Sequence, residues 1–555
     1  MKLNKYLFIT ALAGTTLAGC ADLDTAPKGS TITAEQKAEV VAENPEMVSA
    51  SVTGITSMFS IYENTSGNHN DFGYPSVMLF TDSRGIDLVG MDVGYNWFSY
   101  GLDLNDGALT HTSCNSVIFR TLYNQIYTAN SVAGIIDANT DDPTLQFYLA
   151  QALAIRAFDY FNLAQLYQFT YEGNEDAPCV PLITEANADD AAANDAPRAT
   201  VGDVYTQIMT DLNKAVDLLR ASSFRRADKR YVSLEVALGL RARVELVMQN
   251  WGAAATDAQE VINSGAATPI SIEEASKPGF KDMNEKDWLW GIYIAETDRV
   301  VTSGIVNWIS HMGSLNYGYA SVGAWRRINS TLYNLISVSD ARKGWWLGPD
   351  ATSPNLTAEQ QDYLTNDAEA PAYTQVKFAP YKDEVYTSTN ANDVPLMRVE
   401  EMYYILAEAQ AMGGNPAQGA ATLQSLTQTY RDPAYTCSGA SASSVQDAVW
   451  VQRRIELWGE GLSFFDLMRL RKGVDRPSTG WATMDSNMPQ YNFRILDTKA
   501  GERAAIEQVK AGKGSSTGEP INALIFQIPE REVQSNPGIS EGDNNLGAPI
   551  LEPVN

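Results

Sequence analysis

A stretch of 25 residues, from Leu145 to Phe169, holds neither glycine nor proline, and apolar side chains recur along it at helical spacing. Asp142-Pro143 stands just before it, an acidic N-cap followed by a residue suited to the first helical position, so a long helix is expected to start there. Similar patterns mark Ser116–Asp137, Val201–Ala221, Leu234–Met248, Arg398–Met412, Ala417–Tyr430 and Ser444–Leu457. Gly413-Gly414-Asn415-Pro416 separates two of these, a breaker and then a fresh helix start, which predicts a helix–turn–helix unit of the tetratricopeptide class. Ala407, Ala409, Ala411, Ala417, Ala420 and Ala421 suit close approach of paired helices, as do Ala237, Ala242, Ala253, Ala254 and Ala258. The expected fold is mainly α: degenerate helix pairs in an α-α superhelix, with little β beyond a possible strand at Leu524–Pro529.

At the N-terminus Lys2 and Lys5 precede a short apolar run, Leu7–Ala13, too short to span a bilayer, and it reads as a secretory signal. The run closes on Leu17-Ala18-Gly19-Cys20, which resembles the bacterial lipobox, so Cys20 is the expected lipidation site and mature N-terminus. The alternative is an ordinary small-residue cleavage site that happens to hold a cysteine. Residues 1–19 are then a signal peptide, 20–40 a lipidated tether, and 41–555 one domain, since no long Pro/Ser-rich linker divides it. Beyond the signal no run approaches ~20 consecutive apolar residues. Cys114, Cys179 and Cys437 are widely separated and contain no C-x-x-C, which allows at most one bridge and no zinc ribbon. A formal net charge of −27 repels phosphate backbones, so nucleic acid is not an expected partner.

Catalytic chemistry finds little material. The three histidines, His69, His111 and His311, are scattered and form no H-E-x-x-H or i, i+4 pair. Gly514–Gly518 matches G-x-S-x-G but lacks the strand a nucleophile elbow requires. Asp103-Leu104-Asn105-Asp106-Gly107 departs from calcium-loop spacing; a structural calcium is the one cofactor it leaves open, and a plain turn is the simpler reading. With 67 acidic residues, a glycosidase carboxylate pair could still be assembled in space without a sequence trace.

Three stretches carry a family resemblance. Arg156-Ala157-Phe158-Asp159-Tyr160-Phe161-Asn162-Leu163 is similar to an R-A-x-x-Y-F-x-L helix, and Arg398 through Ala409 to an R-x-x-E-x-Y-L-x-x-A-E-A helix. Arg453-Arg454-Ile455-Glu456-Leu457-Trp458-Gly459-Glu460-Gly461, running into Phe465-Asp466-Leu467-Met468-Arg469, resembles a long signature near the C-terminus of the SusD/RagB-like outer-membrane lipoproteins of Bacteroidetes. Gln452 stands where the family usually has Glu, and Ser463 where it often has Arg. With the lipobox and Ile528-Pro529…Asn536-Pro537-Gly538, the resemblance runs nearly end to end. It implies a SusD-like fold, with a tetratricopeptide-like part over about 41–270 and a RagB/SusD part over about 271–555. It also implies no catalysis, a surface-exposed place on the outer membrane, and a SusC-like TonB-dependent barrel as partner. Arg156, Arg398, Glu400 and Glu408 read as framework ion pairs, as do Arg453 with Glu456 and Asp466 with Arg469, three apart on helical faces.

Irregular, aromatic-rich stretches lie at roughly 62–112, 280–346 and 481–527. The chain has 26 Tyr and 11 Trp against 17 Phe, a bias toward rings that can face water and still hydrogen-bond. Tyr95, Asn96, Trp97 and Tyr100 with Arg84 form one candidate ligand group, beside Asp82 and Asp87; Asn316, Tyr317, Tyr319 and Trp325 form another, beside Trp308 and Arg326. A sugar ring would stack its C–H face on such aromatics while Asn and Arg reach the hydroxyls. Trp97 and Trp325 are expected as half-exposed platforms, with core packing as the competing reading. An oligosaccharide, starch-like for instance, is the expected ligand and a peptide the runner-up; a lipid-anchored glycoside hydrolase and a lid without a ligand are the rivals. Cys20 is the one lipid attachment candidate, so Cys20→Ala should move a folded body from the membrane fraction to the soluble periplasm. Membrane retention of that variant on fractionation would refute the anchor.

Overall fold

The computed structural model describes residues 34–62, 68–90, 97–102, 104, 110, 113–484, 492–495, 506–508, 520–521 and 524–545. Two helices, Ala34–Glu43 and Ser49–Ser57, open the described chain, and they are followed by α1 (Tyr74–Arg84), α2 (Ser113–Ala133), α3 (Pro143–Tyr167), α4 (Val201–Ala221), α5 (Leu234–Val247), α6 (Trp251–Ser264), α7 (Val399–Met412), α8 (Pro416–Tyr430), α9 (Ala442–Glu456) and α10 (Ser463–Arg469), with shorter helical turns between them. The Asp142 side chain caps α3, accepting from the N–H groups of Thr144 (2.8 Å) and Leu145 (2.9 Å). From Phe147 to Tyr167 every residue of α3 is buried, Gln151, Arg156, Asp159, Asn162 and Gln165 included, and α2 and α4 pack against it.

The helix α6 lies outside the stretches singled out by periodicity, yet it bridges helices distant in sequence, packing on α5 and on α7. Its Ala254 and Ala258 are buried, while Ala253 faces solvent. Alanine spacing does serve close approach in α7 and α8: Ala407, Ala411 and Ala420 are buried, and a Cβ added to Gly419 would sit 2.4 Å from the Ala407 carbonyl oxygen. Sheet is sparse. Strand β1 (Leu88–Gly90) pairs antiparallel with β3 (Arg326–Ile328), and β2 (Trp288–Ile292) with β4 (Val394–Arg398). Two further small antiparallel sheets lie at Pro178–Pro181 with Arg198–Thr200, and among segments of 474–521. The segment Leu524–Pro529 forms no strand; it is extended and largely buried, its Phe526 N–H donating to the Leu166 carbonyl (2.8 Å). Cys114, Cys179 and Cys437 are free thiols. Among the described residues no helix is long and apolar enough to cross a membrane.

One expectation is corrected at Arg398, which closes β4 in extended conformation, so that α7 starts at Val399. That turn drives the Arg398 side chain into the interior, where it meets Glu460 (2.9 Å), Glu456 (3.0 Å) and Asp287 (3.1 Å). Glu456 also takes Arg431 (2.7 Å) and Arg342 (3.1 Å), and Lys377 meets Glu460 (2.6 Å). Arg453 therefore pairs not with Glu456 but with Asp466 (2.7 Å), which also takes Arg469 as expected (2.7 Å). Glu400 pairs with Arg431, Glu408 with Arg469, and Arg156 with Asp211. The two departures from the family signature are accommodated: Gln452 accepts from Arg342 (2.5 Å), and Ser463 donates to Asp87 (2.5 Å). Positive φ at Gly459 (77°) and Gly461 (76°) turns the chain after α9 so that Glu460 faces inward between Arg398 and Lys377.

Burial opposes the charge of Glu456, but the three arginines around it outweigh that and hold its carboxyl well below the usual range. Its contribution is thus present at neutral pH and lost as pH falls through the folded-state value. Glu456→Ala should cost about 3–5 kcal/mol in denaturant unfolding, because buried guanidinium groups lose their counter-charge; an unchanged midpoint would remove the network from the stability of the fold. Asp82 on α1 shows the opposite sign. Its Oδ2 accepts from the Gly461 N–H (3.0 Å), yet burial pushes its acid up to about 8, with Asp87 and Glu460 adding to the rise. The folded protein then keeps a proton that the unfolded chain has released, so this stabilisation is full below the ordinary carboxyl range and lost as pH rises toward 8. Asp82→Asn should gain on the parent by about 1.4 kcal/mol per pH unit across that window; parallel stability-against-pH curves would show that Asp82 is already ionised.

Candidate functional site

Asn316 links two loops. Fully buried, it donates to the Asn390 Oδ1 (3.1 Å), and Asn390 in turn donates to the Tyr317 carbonyl (3.0 Å). The same loops are joined by Tyr317 N–H to Thr387 O (2.9 Å) and Tyr386 N–H to Leu315 O (2.7 Å). Two rings are thereby set side by side at the surface. Tyr317 is 39% exposed and Tyr386 49% exposed, their centroids 5.2 Å apart, and Tyr363 follows 5.4 Å beyond Tyr386. Tyr386 takes a left-handed backbone (φ 59°), as do Lys382 and Asp383 before it. For side chains with a Cβ this costs of order 1–3 kcal/mol each and persists where surrounding contacts impose it, often at ligand clamps.

Beside these rings opens a cleft of about 720 Å³, lined by Val322, Trp325, Tyr363, Val385 and Tyr386, with Glu359, Asp362 and Asp367 on its rim. Asp362 precedes and Asp367 ends a π-helical turn, Tyr363–Asp367, closed by Ala368 N–H to Tyr363 O (2.9 Å). Burial pushes the Tyr363 phenol up to about 12, so it stays protonated. Trp325 is not the half-exposed platform expected: only 5% exposed, it packs with Leu315, Leu347 and Val376 and shows the cleft no more than an edge. Tyr363 and Tyr386 carry the cleft instead, and neither lay in a stretch singled out from sequence.

A second aromatic group gathers around Tyr319. Phe72, His311 and Tyr319 are stacked, with centroids 5.5 Å and 4.6 Å apart, and half-buried Trp97 meets Tyr319 edge-on (6.5 Å) and His69 at a tilt (5.3 Å). Tyr319 is 6% exposed and its hydroxyl contacts His69 Nδ1. Burial, with Arg326 adding, holds His311 neutral, and its Nε2 donates to the His69 carbonyl (2.8 Å). Of the expected site residues, Trp97 and Tyr319 thus meet each other, while Tyr317 and Trp325 belong to the cleft region.

Two expected ligand groups serve the framework instead. Arg84 is shut in the interior, its guanidinium 4.4 Å over the Phe526 ring, and Asn316 is spent on the loop junction, so neither faces solvent. Asp82, Asp87 and Trp308 are likewise buried, Asp87 receiving Arg454 (2.5 Å). Tyr95, Asn96 and Cys20 lie outside the described residues, as do His111, Gly514–Gly518 and all of the 103–107 turn except Leu104; of Tyr100 only the backbone, in a short helix, is described. Among the described residues no three His, Cys, Asp or Glu side chains converge as metal ligands.

Comparison with known proteins agrees with this architecture. Residues 348–547 match a model described as the SusD family, and residues 92–246 one described as starch-binding associating with outer membrane. A SusD-like protein P2 of Formosa agariphila is 24% identical over 385 residues, covering 64% of this chain and 72% of the relative. Among solved structures, a SusD-like carbohydrate binding protein of Bacteroides vulgatus superposes with a TM-score of 0.69 at 22% identity, over 90% of this chain and 97% of that one. Surface glycan-binding protein A of Bacteroides thetaiotaomicron, in complex with laminarihexaose, superposes with a TM-score of 0.59 at 15% identity, over 89% and 98%. The helix pairs, the buried signature and the two family matches together make this chain a member of the SusD/RagB-like family.

Proposed function

We propose that the protein binds a glycan rather than transforming one, and that the Tyr317–Tyr386–Tyr363 row beside the Trp325 cleft is where a sugar chain rests. The observation that carries this reading is the pairing of two exposed phenols with a cleft large enough for a few sugar units, on loops tied together by Asn316 and backbone hydrogen bonds. Ring faces would receive the C–H faces of the sugar; Glu359, Asp362 and Asp367 would accept its hydroxyls. Among the described residues no cation lines this cleft, which suits an uncharged oligosaccharide. Half-buried Trp97, held edge-on by Tyr319, would offer a further ring to a longer chain. The family membership and the ligand named for the glycan-binding neighbour support the same class of ligand.

In this proposal Cys20 carries the lipid that holds the protein on the outer surface of the cell, and the bound glycan passes to a SusC-like TonB-dependent barrel. Two or three stacks at about 0.5–1.5 kcal/mol each, with hydrogen bonds, correspond to roughly millimolar to micromolar affinity. Retardation on native gels containing a glycan panel would find the ligand. Calorimetry should then show Tyr386→Ala and Tyr317→Ala each weakening it by about tenfold, or ~1.4 kcal/mol, with little change in melting temperature, since both rings are exposed. Trp325→Ala should instead destabilise the fold by about 3–5 kcal/mol. Undiminished affinity in both tyrosine variants would move the ligand away from this cleft.

A further inference from the structure

A separate cleft of about 420 Å³ opens where the residues preceding Tyr62 meet the end of β2, and it shares no lining residue with the Trp325 cleft. Ile61, Tyr62 and Tyr293 give it apolar surface; Arg230, Arg299 and Asp298 give it charge. Tyr293 directly follows the five buried residues of β2, so a 46% exposed ring emerges from a fixed strand end. A guanidinium lies over each ring, Arg230 at 4.7 Å from the Tyr293 centroid and Arg299 at 4.9 Å from that of Tyr62.

The two arginines differ in how far they are neutralised. Arg230 is forked onto Asp228 (2.8 Å), whereas Arg299 is exposed and makes no ion pair among the described residues. Asp298 lines the same cleft but makes no ion pair with Arg299; its Oδ2 accepts from the Ala295 N–H (2.9 Å) and holds the local turn. In a chain with a net charge of −27, where Arg398 and Arg431 are spent on buried carboxylates, an exposed guanidinium with no ion pair, set over a ring in a cleft, is the arrangement that recognises an anion against the field of the whole protein.

We propose that this cleft is a second binding site, for a sugar unit bearing a carboxylate or a sulfate, its ring face on Tyr293 and its acid group forked onto Arg299 with Arg230 beside it. The Trp325 cleft, with three carboxylates on its rim, has the opposite polarity, so the two sites sort sugars by charge. The inference rests on the glycan reading only for the class of ligand. Calorimetry on the full chain with three probes tests it: a tetragalacturonate, a κ-carrageenan tetrasaccharide and neutral maltohexaose. At least one anionic probe should bind, weakening with added salt, and whichever binds identifies carboxylate or sulfate as the acid recognised. Arg299→Gln and Tyr293→Ala should each weaken that probe by about tenfold, while Tyr386→Ala leaves it unchanged. Failure of both anionic probes to bind, or binding that survives Arg299→Gln and Tyr293→Ala together, overturns the proposal. Maltohexaose decides nothing about this cleft; its behaviour with Tyr386→Ala bears on the Trp325 cleft alone.

Discussion

The carboxylate of Glu456, held by Arg398, Arg431 and Arg342, is the contact on which the rest of the structure depends. Taking such ions out of water costs several kcal/mol apiece, so the cluster is tolerable only if every member finds its partners. Its members come from the end of α9, the junction of β4 and α7, the end of α8, and irregular segments around 340 and 377. A packing that shifted any one of these would strand a buried charge. The network therefore discriminates against alternative arrangements of helix pairs that small, interchangeable alanines would otherwise permit.

The same cluster reaches outward to the cleft. Lys377, anchored on Glu460, is followed back along the chain by Val376, whose N–H donates to Trp345 O (2.7 Å), and by Gln375, whose N–H donates to Arg326 O (2.9 Å). Arg326 adjoins Trp325, and Val376 packs against that indole. Floor and framework are thus joined through the short 375–377 segment, by its backbone hydrogen bonds and by Val376 against the indole. A row of tyrosines raised on that floor keeps its spacing with no ligand present, which lowers the ordering cost that binding would otherwise carry.

The helices were legible because each repeats a short local pattern and ends in a recognisable cap, as at Asp142 before α3. Arg398 was misread because the apolar spacing runs straight across the strand-to-helix boundary, and only its pairing with β2 places it in a strand. The site was legible in part. Aromatic density pointed to the 316–325 segment, but an irregular segment has no period from which to tell the inward ring from the outward one. Trp325 turns in because Leu315, Leu347 and Val376 enclose it, and Tyr386 turns out through a left-handed backbone; both outcomes depend on residues distant in sequence. Asn316 is buried at a loop junction, and an amide that closes such a junction looks identical in sequence to one that faces solvent.

The left-handed backbone at Tyr386 bears on how such a protein can change over generations. The loop that carries it is held by main-chain hydrogen bonds to Leu315 and Tyr317 and by the Asn316 amide, none of which involves the phenol itself. Replacing the ring alters what the surface greets and leaves the scaffold as it was. The exposed ring can then vary by single codons, while the interior charges are far less free to drift.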